Sequence, residues 1–124
     1  MNLILMRLTA KKLPKVEIDK IINSKMNWIM SFSKPLKVIL FGSASTGEMT
    51  EYSYIDIILI FPNDSDLKKI GFELEKNRPK DDWPHDLIFQ TQESFEYSIS
   101  KGGGACWLAS QEGILLFERK LNEP

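Results

Sequence analysis

The chain holds one cysteine, Cys106, and one histidine, His85, in 124 residues. A lone cysteine closes no internal disulfide. It also has no nearby partners for a metal site, so a reducing, cytoplasmic compartment is expected. No apolar run approaches the roughly 18 residues that span a bilayer, so no membrane association is expected. The opening stretch MNLILMRLTAKK is apolar over too short a distance and lacks a small-residue cleavage site. It reads as a short strand or helical turn packed on the body rather than as a signal peptide. Neither sign of charge dominates: 16 Lys and Arg face 17 Asp and Glu, for a net charge of -1. That balance gives no strong nucleic-acid signal, although it leaves room for a local basic patch. Internal repeats and low-complexity tracts are absent as well.

What is present suits one soluble domain over residues 1–124, with 43% apolar and 27% charged residues. Ile18, Ile21, Ile22, Trp28, Ile29 and Phe32 recur at helical spacing between Pro14 and Pro35, which predicts an amphipathic helix from about Lys15 to Ser33. KVILF, Lys37 to Phe41, reads as a buried strand that stops at Gly42-Ser43. Residues 44–53 are small and polar, a turn or short helix followed by a loop. A second strand runs from Tyr54 to Phe61 and ends at Pro62-Asn63-Asp64. Asp64 or Ser65 can cap a helix through Leu67, Ile70, Phe72 and Leu74 that ends near Arg78-Pro79. A third strand is expected over His85 to Gln90, then helices over Gln92–Ser100 and Ala105–Gln111. Gly102 to Gly104 separate the two helices as a hinge, and Gly113 stops the second. Ile114 to Phe117 make a last strand. This order fits an α+β domain, with a small mixed sheet of about four strands flanked by helices.

The second strand poses the chemical question. Ile55, Ile57, Leu59 and Phe61 share one face; Tyr54, Asp56, Ile58 and Ile60 share the other. A carboxylate among isoleucines costs free energy unless it is paired, hydrogen-bonded or bound to a cation. A local donor such as Lys37 or His85 would answer this simply. The third strand offers another answer, because HDLIF places Asp86 and Ile88 on one face and His85, Leu87 and Phe89 on the other. If the two strands are neighbours, Asp56 and Asp86 lie side by side and repel unless a cation or proton sits between them. Such oxygen ligands suit Mg²⁺ or Mn²⁺ with the phosphates of a nucleotide.

Upstream, Gly42 permits a sharp turn and a close approach of the backbone, and Ser43, Ser45 and Thr46 add hydroxyls. If residues 43–48 open a helix, its free N–H groups favour an anion. A polar loop with a capping serine explains the same residues. Cys106 beside Trp107 reads as a small core hydrophobe, His85 as structural or surface, and Trp83 as a loop aromatic that could stack on a base.

LFGS at Leu40 to Ser43, ten further residues to Ser53, Asp56 on an apolar strand, Asp86 in HDLIF and EGILLFER from Glu112 together resemble the minimal nucleotidyltransferases of the DNA polymerase β superfamily, the antitoxin-like type. The resemblance covers about residues 15–119. It implies a nucleotidyltransferase-like fold. Gly42, Ser43, Ser45, Thr46, Gly47 and Ser53 would lie toward the nucleotide, and Asp56 and Asp86 would act as catalytic metal ligands. The implied cofactors are Mg²⁺ (or Mn²⁺) and ATP or another NTP. The implied reaction moves a nucleoside monophosphate, AMP above all, to a hydroxyl, with a helical toxin protein of the HEPN type as acceptor and partner.

The chain departs from the pattern at the first carboxylate of the family's Asp-x-Asp, where Tyr54 stands. The loop's frequent basic residue is replaced by Thr46. A phenol with its ordinary pKa near 10 is a poor ligand for a hard cation at neutral pH. Glu48 or Glu51 could serve as substitute ligands. Two readings therefore stand: a transferase, or a lapsed transferase that acts as a protein-binding antitoxin or a regulatory nucleotide-binding module. A chain this short invites a protein partner or a homodimer in either case.

Overall fold

The computed structural model describes Leu5 and residues 9–121. Most of the expected N-terminal element lies outside the described residues. From residue 12 the chain runs along the 49–50 segment. Leu13 N–H donates to the Met49 carbonyl at 2.7 Å, and Lys12 forms an isolated antiparallel bridge with Thr50.

The elements are α1 (Lys15–Phe32), β1 (Lys37–Phe41), α2 (Ser43–Thr46), β2 (Ile55–Phe61), α3 (Leu67–Lys76), β3 (His85–Thr91), α4 (Gln92–Ser100), α5 (Gly104–Glu112) and β4 (Ile114–Glu118). They form an α+β domain around one mixed four-stranded sheet of order β3-β2-β1-β4. β1 runs antiparallel to β2 and β4, and β2 runs parallel to β3. The parallel pair needs a crossover, which α3 supplies.

The expected alternation along β2 holds. Ile55, Ile57, Leu59 and Phe61 pack with Ile18, Trp28 and Ile29 of α1 and Leu74 of α3. Ile58 and Ile60 pack on the opposite face with Ile39, Phe95 of α4, and Cys106 and Ala109 of α5. β2 is thus covered on both sides and is buried along its whole length except at Asp56. Cys106 is the core residue its neighbours predicted.

Several boundaries move. β2 begins at Ile55, so Tyr54 lies just ahead of it. The cap of α3 is Asp66, whose Oδ1 accepts from Lys69 N–H at 3.1 Å, rather than Asp64 or Ser65. α3 ends at Lys76. Phe32 and Phe72 remain exposed because each falls outside the stripe that meets the sheet. β4 carries a bulge against β1: Phe117 pairs with Val38, and Leu115 with Ile39.

No local pattern in the sequence marks Lys25. It lies in α1, and its side chain is wholly buried. Its Nζ donates to Asp82 Oδ2 at 2.5 Å and to the Trp83 carbonyl at 2.5 Å, and it meets His85 Nδ1 at 2.6 Å. Arg78 Nε joins on Asp82 Oδ2 at 3.0 Å, and the His85 ring stacks on Trp28. Burial lowers the Lys25 pKa against the pull of Asp82. Burial alone would raise that of Asp82, but its hydrogen bonds from Lys25 and Arg78 hold it below the usual carboxylate value. His85 is pushed down to about 4 by burial and by the neighbouring Lys25 and Arg78 cations. It is therefore neutral at pH 7, with Nδ1 accepting from Lys25.

Two outcomes follow for stability. Lys25→Met keeps an apolar stem but strips the ammonium from its three acceptors. Losing one member of a buried ionic set costs about 3 kcal/mol, to be read as a lower urea midpoint. The native state refuses a proton at His85 that the unfolded chain accepts below its ordinary pKa of 6.5. Stability held at neutral pH is therefore lost as pH falls from 6.5 toward 4. Urea titrations across that range should show this slope in the natural chain and a flatter one in His85→Gln.

Candidate functional site

β2 and β3 start at the same end of the sheet, and Asp56 and Asp86 are the second residue of each. The parallel register pairs them directly, Asp56 with Asp86, one step beyond Ile55 with His85. Both stand on the face that α4 and α5 cover further along. At this end Asp86 is exposed and Asp56 half-buried. Among the described residues no hydrogen-bond donor reaches Asp56. The two local donors considered for it are engaged elsewhere: Lys37 approaches Glu118 at 4.0 Å, and His85 faces the Lys25 cluster on the opposite face. Desolvation and then the Asp86 carboxylate raise the Asp56 pKa. An unpaired carboxylate beside a second one is a site that a cation would relieve.

Gly42 closes over Asp56 from β1. Its φ is 70° and its ψ -156°, a backbone region open in practice to glycine alone. A Cβ there would meet Asp56 Oδ2 at 2.2 Å. The missing side chain is the space that the carboxylate occupies.

A cavity of about 530 Å³ opens here, lined by Ser43, Glu48, Thr50, Tyr52, Ser53, Tyr54, Asp56 and Asp86. It thus brings together four of the expected residues, Ser43, Ser53, Asp56 and Asp86, with Gly42 as backing. Ser45, Thr46 and Gly47 sit elsewhere. They line a second, more apolar cavity with Leu13, Ile18, Ile22 and Ile114. Their hydroxyls serve the turn itself: Ser45 Oγ donates to the Gly42 carbonyl at 2.7 Å, and Thr46 Oγ1 donates to the Ser43 carbonyl at 3.3 Å. Ser53 Oγ accepts from Thr50 N–H at 2.9 Å, so it shapes the loop as well as lining the cavity. α2 is a single turn that ends at Gly47 in a left-handed conformation.

Thr50 and Tyr52 join the lining without any signal in the sequence, because the 47–54 loop has no periodicity to read. Glu48 reaches the cavity wall but is ion-paired with Lys12 at 2.8 Å. Among the described residues no three Asp, Glu, His or Cys side chains gather as a metal site. Asp56 and Asp86 remain a pair. Trp83 faces away from the cavity: its Nε1 donates to the Ser53 carbonyl at 2.9 Å, and the ring packs on the α1 side of the sheet.

A family model described as "Nucleotidyltransferase domain" matches residues 22–121. A crystal structure of a protein described as a candidate nucleotidyltransferase from Sulfolobus solfataricus superposes with a TM-score of 0.52. That likeness covers 85% of this chain and 84% of the other at 16% identity, and it bears on the fold alone. No curated protein matches the chain by sequence.

The contact between Gly42 and Asp56 makes a direct test. Gly42→Ala forces both an unfavourable backbone conformation and a shift of the carboxylate. It should cost about 2 kcal/mol or more in urea unfolding.

Proposed function

The chain belongs to the nucleotidyltransferase domain family, and from that premise we propose that it binds a nucleoside triphosphate with a divalent cation and passes its nucleoside monophosphate to a hydroxyl: the hydroxyl oxygen bonds the α-phosphorus, the α–β phosphoanhydride bond breaks, and pyrophosphate leaves. The supporting observation is the register pairing of Asp56 with Asp86 in an open polar cavity, with no donor on Asp56 among the described residues. Two adjacent oxygen ligands, one kept partly dry, fit Mg²⁺ or Mn²⁺. When bound, the ion would neutralise phosphate charge and polarise the phosphoryl group.

The chain's own residues supply the rest. Asp56 and Asp86 would hold the ion. Ser43, beside the open backbone of Gly42, would face the phosphates. The acceptor hydroxyl on a helical partner protein of the HEPN type, and AMP as the group moved, rest on the family resemblance.

A second reading has its own observation. By the family resemblance Tyr54 stands where a carboxylate is expected, and no third acidic side chain among the described residues completes the set. A module that binds nucleotide or a partner protein without transfer would look the same.

Titration calorimetry of ATP in Mg²⁺ addresses both. The natural chain should bind, and Asp56→Asn should lose at least tenfold in affinity, which is about 1.4 kcal/mol. A transfer assay on Tyr54→Asp then separates the readings: activity that appears only in this variant marks the natural chain as a binding module. Absence of ATP binding by both the natural chain and Tyr54→Asp would overturn the nucleotide reading.

A further inference from the structure

Tyr54 is held by its neighbours and free at its ring. On one side, Ser53 N–H donates to the Thr50 carbonyl at 3.1 Å, and the Ser53 carbonyl accepts from Trp83 Nε1 at 2.9 Å. On the other, Ile55 is fully buried and its N–H donates to the Pro84 carbonyl at 3.0 Å. The backbone at residue 54 is therefore pinned from both ends to the loop that leads into β3. The side chain nevertheless stays 55% exposed on the lining of the cavity. It stacks on no other aromatic ring among the described residues. A tyrosine that merely plugged the missing carboxylate's place would be packed down onto Asp56. This one stands at the rim.

The cavity is chemically divided. Its floor carries Asp56 and Asp86, and its wall carries Glu48, with no basic side chain in the lining among the described residues. The floor suits a cation and the phosphates that accompany it, whereas the exposed phenol ring suits a flat, uncharged group. Tyr54 lies just ahead of β2 and two residues before Asp56, a span of about 6.6 Å along extended backbone. That is the scale of the sugar between a base and its first phosphate.

We propose that Tyr54 is a stacking shelf for the base of the bound nucleotide, purine before pyrimidine, and so sets the ligand specificity of this site. The proposal rests on the cation–phosphate reading given under Proposed function. It treats the exchange of a carboxylate for an aromatic ring as a trade of metal-holding capacity for base affinity. Stacking needs the π face and not the hydroxyl, so phenylalanine serves as well as tyrosine.

The experiment compares affinities in Mg²⁺ for ATP, CTP and inorganic tripolyphosphate on the natural chain, Tyr54→Phe and Tyr54→Leu. The natural chain should bind ATP on the order of tenfold more tightly than tripolyphosphate, with CTP between them. Tyr54→Phe should keep this order. Tyr54→Leu should bring ATP down to the tripolyphosphate level without moving tripolyphosphate itself. An unchanged ratio in Tyr54→Leu, or no ATP preference in the natural chain, overturns the stacking shelf while tripolyphosphate binding still upholds the cation–phosphate site. Absence of binding by all three ligands overturns both.

Discussion

The arrangement depends on one dry ammonium group. Lys25 sits within the helix that covers the sheet, and its three acceptors all lie in residues 82–85. Desolvating a lysine is unfavourable, and the cost is offset only while every acceptor stays in place. The position of this loop is therefore coupled to the packing of α1. The same loop donates from Trp83 to Ser53 and accepts at Pro84 from Ile55. One buried charge on the far face of the sheet thus fixes the entry points of both strands that carry the paired carboxylates. Geometry on the open face is set by electrostatics on the closed one.

Much of the fold was legible because its signals are local. β2 is a short β-branched apolar run, α4 was placed at its observed bounds of Gln92–Ser100, and α1 ended one residue from expectation. The Lys25 cluster was illegible for the opposite reason. A lysine at position 25 and an Asp-Trp-Pro-His run at 82–85 look like solvated residues until the fold brings them together over nearly sixty residues. Phe72 misled in the other direction: an apolar residue inside a helix reads as core, but α3 is a surface helix whose inward stripe passes through Leu74.

The site was legible where strand periodicity governs and obscure where a loop does. Pairing Asp56 with Asp86 needed only two strands, an alternation and a neighbour relation, and the register supplies that relation directly. Gly42 was singled out as a turn-former, but its closer duty, leaving room for Asp56 Oδ2, depends on a cross-strand contact that no local pattern encodes. Ser45, Thr46 and Gly47 share the small polar character of Ser43, yet one turn of helix rotates them toward another cavity. Composition alone does not tell such neighbours apart.

The bulge in β4 bears on what this edge of the sheet can template. β4 is an edge strand only five residues long, with Ile114 and Leu115 both substantially exposed. A regular edge of that composition would invite a neighbouring chain to extend the sheet without limit. The extra residue between Phe117 and Leu115 breaks the spacing of the backbone groups and turns the edge out of line. The exposed apolar side chains at this margin therefore sit on an edge whose backbone is a poor template for further strands.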